Sequence, residues 1–430
     1  MNNFGTTSFI RRIPIEIKDR LDRKFKINGV INEPISSFLN KNHIPIDAVI
    51  VKKDGNIIDD WLEKIEENSE YVVEMVRAYH LPDLLSLLRL WDTKLVSGKI
   101  KVTEHAYYTK RLFLHNDYDG DYTSTQTSFN KGEFVSYLDK VFVDGIVMNH
   151  IIEDNDRIAL AMSGGRDSLS LGYFFSRNRN YLPEYTMSSF HVTTFSKPKE
   201  SRFAQEIAEK FNFQHNIITN NQVREQFRLK KDPNDVLELL KYDFNKSYSI
   251  AGTHIIMRSA VEKGAREQGF RKLSFGLMKE DLMSTIIKCI FVGFPFNGPF
   301  NRRFGDFDVI YPLWPISKKE LTLYLEAIMP SHNRQESPSE FERGSLSRDI
   351  YYLIADTIET ILPGAGLQLL NSQKTTLKHL VPNEYKQCEN CTGTYSTSYQ
   401  PEYTIIDREY KDVGLCDLCK ILEKLNLIKS

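Results

Sequence analysis

Residues 157–168 read Arg157-Ile-Ala-Leu-Ala-Met-Ser-Gly-Gly-Arg-Asp-Ser168, and this stretch decides the fold of the chain. Its first six residues are a short apolar run, typical of a strand buried in a parallel sheet, and an apolar helix is predicted over 169–175. Two glycines therefore precede a helix N-terminus, where the backbone can approach a phosphate closely and unpaired amides carry partial positive charge. The serine hydroxyls add donors, so the stretch predicts an anion-binding loop in an α/β protein.

The motif Ser-Gly-Gly-x-Asp-Ser after a strand resembles the signature of the PP-loop ATP pyrophosphatases. These enzymes cleave ATP between the α- and β-phosphates and adenylate a carbonyl oxygen, from which a nucleophile then displaces AMP. The resemblance implies ATP and Mg²⁺ as cofactors and Asp167 as a catalytic residue, at a position where a magnesium contact or a positioning contact would be useful. It assigns nucleotide binding to the whole loop, that is, to Ser163, Gly164, Gly165, Arg166, Asp167 and Ser168.

Two further strands are expected to end beside this loop. Residues 189–196 are a candidate for one of them, and Thr194 and Phe195 at its carboxyl end are predicted to contact the nucleotide, because open α/β sheets bind ligands there. Residues 272–276 form the other strand. The family then reads Gly-His-Asn-x-x-Asp, which assigns Gly276 to nucleotide binding and Asp281 to catalysis, whereas Leu and Met replace the His and Asn.

Residues 130–430 as a whole are similar to the PP-loop enzymes that make 2-thiouridine in tRNA. The similarity continues in residues 309–324, which contain Tyr-Pro-Leu-Trp-Pro and Lys-Lys-Glu, in Glu336-Ser-Pro338, and in Leu362-Pro-Gly364. It implies tRNA as a partner and a homodimer as the assembly.

The similar enzymes hold an iron-sulfur cluster or a persulfide on three cysteines that this chain lacks. The matching positions are Tyr248, Ala251 and Ser337. Thiolate is the ligand that an iron-sulfur cluster needs, so cluster-dependent thiolation by this chain alone is not expected. Cys289 lies among apolar residues, and we expect it to be a buried structural thiol.

The other four cysteines form two C-x-x-C pairs, Cys388 with Cys391 and Cys416 with Cys419. In a reducing compartment this spacing predicts a metal site rather than disulfides. Two such pairs match a tetrahedral four-cysteine Zn²⁺ site, and its closed ligand shell indicates a structural role.

The N-terminal region has the order strands, helix, strand, turn, strand, with a hairpin turn predicted at Asp54-Gly55 and a closing strand at residues 71–77. This order resembles the β-grasp fold of ubiquitin-like sulfur carriers. Those carriers end in a free Gly-Gly, whereas here the chain continues, so the domain cannot carry sulfur on its own tail. The domain is then either a docking element or a fossil of the sulfur carrier, fused in place. A separate sulfur-carrier or ubiquitin-like protein is a further candidate partner.

Composition and charge set the outer limits. The chain has 430 residues, and this length predicts two or three domains. With 41% hydrophobic residues, it can bury more than one core. Its net charge of -1 argues neither for nor against a nucleic-acid partner, and the basic residues Arg228, Lys230 and Lys231 are interpreted as an exposed face. Neither a membrane span nor a signal peptide is recognisable, so the sequence predicts a cytoplasmic protein without a membrane partner.

These features together predict an α/β fold. We expect a ubiquitin-like β-grasp domain over residues 1–80 and a connector, a degenerate region, over 81–130. A parallel-sheet PP-loop (HUP-like) ATP-pyrophosphatase domain follows over 131–380, and a four-cysteine zinc module over 381–430.

Two functions are compatible with the sequence. The first is an ATP-dependent enzyme that adenylates a carbonyl-type oxygen of tRNA or another acceptor, with sulfur from a separate protein or ammonia as the incoming nucleophile. The second is a nucleotide- or RNA-binding partner or regulatory protein that kept the fold and lost the chemistry. The intact loop favours the enzyme, and the missing thiols favour the degenerate protein.

Overall fold

The computed structural model divides the chain into two compact units, Met1–Ser136 with Tyr352–Gly366, and Tyr137–Tyr351 with Leu367–Ser430. Within them, the structure describes residues 11–18, 24–44, 46–76, 106–115, 122–194, 196, 198–243, 246–292, 301–330, 346–376, 384–397 and 414–429. Phe195 and Ser337, both singled out from the sequence, lie outside the described residues.

The first unit contains a five-stranded sheet formed by β1 (Arg12–Lys18), β2 (Lys24–Val30), β3 (Val49–Lys53), β4 (Asn56–Ile57) and β5 (Tyr71–Met75). The strand order is β2-β1-β5-β3-β4. The central pair, β1 with β5, is parallel, and the other pairs are antiparallel. Helix α1 (Ile35–Lys41) contributes Phe38 and Leu39 to the core that the sheet residues Ile15, Ile17 and Val49 also form.

The turn predicted at Asp54-Gly55 is confirmed. It joins β3 to β4, with Lys53 paired to Asn56. Asp54 has φ +50° and Gly55 has φ +84°, and a two-residue hairpin loop of type I′ requires positive φ at both positions.

Part of the predicted connector has regular structure. Strands β6 (Tyr108–His115) and β7 (Tyr122–Phe129) pair as an antiparallel hairpin. The guanidinium group of Arg111 in β6 forms an ion pair with the buried carboxylate of Asp47, which ties the hairpin to the N-terminal sheet. Residues 81–105, the first half of the predicted connector, lie outside the described residues.

The second unit contains a six-stranded sheet formed by β8 (Asp156–Ala161), β9 (Tyr185–Val192), β10 (Gln214–Ile218), β11 (Lys272–Ser274), β12 (Asn301–Phe304) and β13 (Phe307–Ile310). The order is β10-β9-β8-β11-β13-β12, and every pair is parallel except β12 with β13. This confirms the predicted parallel sheet. The chain leaves β8 towards β9 and β10 and returns to β11 on the other side of β8. The end of β8 is therefore a topological switch point, where open α/β sheets bind ligands.

The remaining helices are α2 (Lys131–Val147), α3 (Arg166–Arg177), α4 (Pro198–Lys210), α5 (Asn220–Gln226), α6 (Pro233–Asp243), α7 (Lys246–Glu267), α8 (Lys279–Val292), α9 (Lys318–Ile328), α10 (Leu346–Ile361), α11 (Ala365–Thr376) and α12 (Asp417–Lys424). A short hairpin, β14 (Tyr385–Gln387) with β15 (Thr394–Ser396), precedes α12.

No single helix among the described residues is long and apolar enough to cross a membrane. By length and composition, only the bent pair Ile350–Thr360 with Ala365–Gln373 passes that test.

Aromatic stacking fixes α3, the helix that follows the glycine loop. The ring of Phe174 stacks on Tyr324 of α9 at a centroid distance of 4.2 Å and on Phe142 of α2 at 4.9 Å. All three rings are fully buried. Packed aromatic pairs of this kind stabilise a core beyond the area that they bury, so α3 is anchored between two neighbouring helices.

Candidate functional site

The loop Ser163–Ser168 joins β8 to α3 by a bend that only glycine can make. Gly164 has φ +82°, in the left-handed region. A Cβ atom there would lie 2.0 Å from the backbone oxygen of Glu200 in α4, far inside van der Waals contact. The loop therefore packs directly against the first turn of α4, backbone to backbone.

The two serines of the loop stabilise this bend. Their hydroxyl oxygens lie 3.0 Å apart. The amide of Gly165 donates to Ser163 Oγ, and the amide of Gly164 donates to Ser168 Oγ, each at 3.2 Å. Helix α3 begins at Arg166 without a capping side chain. The amides of its first turn are the donors that a helix leaves unpaired, which is the arrangement that binds a phosphate.

Arg166 and Asp167 form an ion pair beside the loop, with Arg166 Nε 3.0 Å from Asp167 Oδ1. The same guanidinium group donates to Thr322 Oγ1 of α9 at 3.1 Å. The Asp167 side chain keeps 41% of its surface exposed. Its carboxylate is thus charge-balanced by Arg166 and still accessible to a metal ion.

Gly276 and Asp281 follow β11, the other neighbour of β8. A Cβ atom at Gly276 would lie 3.2 Å from the backbone oxygen of Asp167, so this turn packs against the loop. Asp281 Oδ2 accepts a hydrogen bond from the Met278 amide at 2.9 Å, and its Oδ1 lies 3.1 Å from Nζ of Lys318. Both side chains of this ion pair are largely buried, at 12% and 7% exposure.

Helix α9 connects the two predicted catalytic carboxylates. Its first two turns carry Lys318, which pairs with Asp281, and Thr322, which accepts from Arg166. Thr322 Oγ1 in turn donates to the backbone oxygen of Lys318 at 2.8 Å. The structure thus brings together the loop, Gly276, Asp167 and, through Lys318, Asp281. Lys318 and Thr322 were missed in the sequence, although Lys318-Lys-Glu320 lies inside a stretch that carries the family resemblance.

Thr194 follows β9, on the other side of β8. Its side chain is fully buried, and its hydroxyl has no hydrogen-bond partner among the described residues. A buried hydroxyl without a partner costs free energy, so this one is suited to a ligand group or a water molecule.

His191 in β9 supports the start of the loop, and sequence reasoning missed it. Its Nδ1 donates to the backbone oxygen of Met162 at 2.7 Å, since a carbonyl can only accept. Its Nε2 lies 2.9 Å from Ser201 Oγ and therefore accepts from that hydroxyl in the neutral ring. Burial lowers the pKa of His191 below its usual value, which keeps the ring neutral. The sequence feature that could have identified this residue is a histidine at an inward position of an otherwise apolar strand.

The four C-terminal cysteines come together, as predicted. Their sulfur atoms all lie within 4.8 Å of one another, and all four residues are buried. Cys391 Sγ and Cys416 Sγ are 3.8 Å apart. Among the described residues, this is the only group of three or more His, Cys, Asp or Glu side chains placed to hold a metal ion. Hydrogen bonds from the thiol of Cys391 and from the other two cysteines hold the pKa of Cys388 well below its usual range.

Hydrogen bonds attach the cysteine module to the rest of the second unit. Gln226 of α5 donates to the backbone oxygen of Cys391 at 2.8 Å. Asn390 donates to the backbone oxygen of Phe227 at 3.0 Å. The buried carboxylate of Glu262 in α7 accepts from the Thr394 amide at 2.8 Å. The module is therefore held through polar contacts to two helices.

The sequence has five cysteines, so only one thiol remains outside the four-cysteine group. Tyr248 and Ala251, which match two cluster cysteines of the similar enzymes, lie in the first turns of α7. The remaining cysteine, Cys289, lies in α8 and is only partly buried, so the expectation of a buried thiol was wrong. The reason is that its neighbours Ile290 and Phe291, counted as core residues from their type, are 71% and 68% exposed. The residues present do not fit an iron-sulfur cluster at this place.

Comparisons with known proteins agree with the fold. No family model matches the chain. It is 26% identical over 291 residues to a "Probable sulfurtransferase" of Methanocaldococcus jannaschii, covering 65% of this chain and 77% of that protein. It is 20% identical over 191 residues to a tRNA(Ile)-lysidine synthase of Chlorobaculum tepidum, covering 44% of this chain and 53% of the synthase.

Among solved structures, the U34-tRNA thiolase NcsA from Methanococcus maripaludis, determined with its [4Fe-4S] cluster, has the same fold. The TM-score is 0.51 at 17% sequence identity, with 74% of this chain and 95% of the thiolase covered. Fold, loop and relatives confirm the resemblance to the PP-loop ATP pyrophosphatases. Within that class, the similar proteins include enzymes named for tRNA thiolation and for lysidine synthesis.

We predict that Gly164→Ala prevents ATP binding. The added methyl group meets the backbone of Glu200, and an L-residue in the left-handed region itself costs roughly 1–2 kcal/mol, so the loop must move. Isothermal titration calorimetry with ATP should show at least about a tenfold loss of affinity. Gly132→Ala is the matched control, because its Cβ would meet only Asn130 Oδ1 at 3.6 Å. Wild-type affinity in Gly164→Ala would exclude this loop as the nucleotide site.

A second prediction concerns pH. Since the folded-state pKa of His191 is depressed, the unfolded chain binds a proton below about pH 6.5 that the folded chain does not. The free energy of unfolding should therefore fall as pH drops from 6.5 to 5.5, by at most about 1.4 kcal/mol per pH unit from this residue. His191→Asn keeps a donor for Met162 and should flatten the slope in urea titrations. The exposed His150, replaced by Asn, serves as control and should leave the slope as in wild type.

Proposed function

We propose that this chain is an ATP-dependent enzyme of the PP-loop class. It adenylates a carbonyl-type oxygen on tRNA or on another acceptor and releases pyrophosphate. One observation carries the proposal: Gly164 is pressed against the backbone of Glu200 in a conformation open to glycine. The contact restricts the backbone of Gly164 to one conformation. In that conformation the first-turn amides of α3 lie at the switch point of the sheet.

The proposed reaction needs groups that bind phosphate and control charge. The acceptor oxygen attacks the α-phosphorus of ATP, and the bond from that phosphorus to the oxygen bridging to the β-phosphate breaks. Pyrophosphate leaves, and a nucleophile later displaces AMP from the acceptor. The amides of α3 hold the phosphates, with Ser163 and Ser168 fixing the loop. Asp167, which is accessible, would hold Mg²⁺, and the bound ion would supply positive charge to balance the leaving pyrophosphate.

The missing cluster cysteines suggest the source of the incoming nucleophile. The thiolase with the same fold carries a [4Fe-4S] cluster, whereas this chain has Tyr248 and Ala251 where cluster cysteines were sought. A nucleophile brought by a separate molecule, either sulfur from a carrier protein or ammonia, fits that difference. Asp281, paired with Lys318, is proposed as the second catalytic group, and Thr194 and Gly276 as nucleotide contacts.

The second candidate function is a nucleotide- or RNA-binding regulatory partner without catalysis. The missing thiols favour it, and so does the burial of Asp281 in an ion pair with Lys318, which limits its access to a substrate. The accessible carboxylate of Asp167 favours the enzyme instead.

We further propose that the N-terminal sheet is a β-grasp domain and acts as a docking element. Its strand order, β2-β1-β5-β3-β4, with one helix between β2 and β3, supports this assignment.

For the cysteine module we propose a structural Zn²⁺ ion. Four thiolates at the Zn–S distance of about 2.3 Å in a tetrahedron lie about 3.8 Å apart, and the Cys391–Cys416 separation is 3.8 Å.

The enzyme hypothesis predicts pyrophosphate release from ATP in the presence of total tRNA with sulfide or ammonium as nucleophile. Asp167→Asn should lower that rate at least about a hundredfold, because it removes a magnesium ligand worth several kcal/mol in the transition state. The exposed Asp59→Asn is the matched control and should react as wild type. If the protein binds ATP and releases no pyrophosphate with any tRNA preparation or added partner, the regulatory alternative is correct.

The zinc proposal predicts one equivalent of zinc per chain by mass spectrometry of the metal content. Cys416→Ser should lose the metal and lower the melting temperature, since binding free energy of such a site is folding free energy. Cys289→Ser, which leaves the four-cysteine group intact, is the control and should retain full zinc. Iron in place of zinc in anaerobically purified protein would contradict the assignment.

A further inference from the structure

Two distant segments of the second unit pair through their backbones and bring basic side chains together. The amide of Lys429 donates to the oxygen of Arg228 at 2.8 Å, and the amide of Lys230 donates to the oxygen of Leu427 at 2.9 Å. Between them, Leu229 and Ile428 form an antiparallel bridge. Leu229 is fully buried, whereas Arg228, Lys230 and Lys429 are exposed.

This pairing joins two basic residues through their backbones. Arg228 has φ +51°, and its backbone oxygen accepts from the amide of Lys429, so the two residues are neighbours at the bridge. Neighbouring like charges repel each other. Arg224 joins them, held by a hydrogen bond from its Nε to the backbone oxygen of Leu229 at 3.4 Å. Among the described residues, no carboxylate lies within 4.0 Å of any of these three cations.

The three cations line one open cavity of about 540 Å³, together with Asn221, Glu225 and Leu229. With a single carboxylate in its lining, this cavity has a net positive charge. A second cavity of about 580 Å³ shares Arg224 and adds Lys230 and Lys231, but it also contains Asp232, Asp235 and Glu238. The first cavity is therefore the centre of positive charge, and Lys230 and Lys231 lie in the second, which shares Arg224 with it.

The cysteine module holds this surface in place. Gln226 and Phe227, between Arg224 and Arg228 in the chain, bind the module through Cys391 and Asn390. The five cations are thus displayed on a rigid support rather than on a free loop. We name the surface formed by Arg224, Arg228, Lys230, Lys231 and Lys429 the basic bridge.

We propose that the basic bridge binds the phosphodiester backbone of the RNA acceptor. The inference rests on the proposed function, in which tRNA is the acceptor. A cavity lined by three cations and a single carboxylate is stabilised when a phosphate group lies among the cations. Arginine and lysine contacts of this kind position an RNA without reading its sequence. The sequence predicted that Arg228, Lys230 and Lys231 form an exposed face, and we propose that this face also binds RNA.

The test measures tRNA affinity at a series of salt concentrations for Arg228→Ala/Lys429→Ala. Loss of two phosphate contacts should reduce the slope of log K against log salt by roughly 1.4–1.8 and weaken binding at 0.1 M salt by roughly tenfold or more. The control is Arg12→Ala/Lys26→Ala, which removes the same charge from exposed positions of the other unit and should bind as wild type. Arg228→Lys/Lys429→Arg should restore the slope.

The outcomes separate the two proposals. If wild-type protein releases pyrophosphate with tRNA, and the double alanine variant binds tRNA with an unchanged slope, the basic bridge is not the RNA surface although the proposed function stands. If wild-type protein does not bind tRNA, the RNA acceptor and this inference both fail. If the variant loses affinity for inorganic pyrophosphate and keeps its affinity for tRNA, the surface takes a free phosphate compound, which overturns the inference. Both pairing hydrogen bonds involve only main-chain atoms, and an unchanged melting temperature verifies folding of the variant.

Discussion

The close contact between Gly164 and the backbone of Glu200 is the constraint on which the second unit depends. With 2.0 Å between a hypothetical Cβ and the Glu200 oxygen, no side chain fits there, and the loop must bend in the left-handed region. That bend ends β8 and starts α3 within four residues. It also brings the first turns of α3 and α4 to the same edge of the sheet. The aromatic stack on Phe174 then fixes the far side of α3, so the loop amides have a defined direction.

Charge balance around the loop follows a common rule. Buried charges need partners, because removing an ion from water costs several kcal/mol. Asp281 meets this need with Lys318, and the lysine is placed by the capping box of α9, in which Ser317 and Glu320 bind each other's backbone amides. Asp167 is more accessible and is balanced by Arg166. The two carboxylates therefore differ in environment: Asp281 lies in a largely buried ion pair, and Asp167 keeps 41% of its side-chain surface exposed.

The sequence predicted those features that depend on local chemistry. The glycine loop, the Asp54-Gly55 turn and the two C-x-x-C pairs each need particular residue types at fixed spacing, so they could be recognised. Lys318, Thr322 and His191 could not be recognised as neighbours of the loop, because their contacts depend on how α9 and β9 pack in three dimensions. The burial of Cys289 was predicted wrongly for a related reason. Apolar residue type predicts burial only on average, and Ile290 and Phe291 remain exposed here.

The start of α7 shows how the chain differs physically from a cluster-binding thiolase. Beyond Tyr248 and Ala251, Gly252 packs closely, since a Cβ there would lie 3.3 Å from side-chain carbons of Leu237 and Leu240 and 3.4 Å from one of Leu418. Leu418 belongs to α12, between two of the cysteines. Apolar packing against the cysteine module thus occupies the turn that follows the positions where cluster ligands were sought. An iron-sulfur cluster would need thiolates and room at this turn, and close-packed leucines offer neither. In this chain the cysteine module therefore packs against the start of α7 through Leu418.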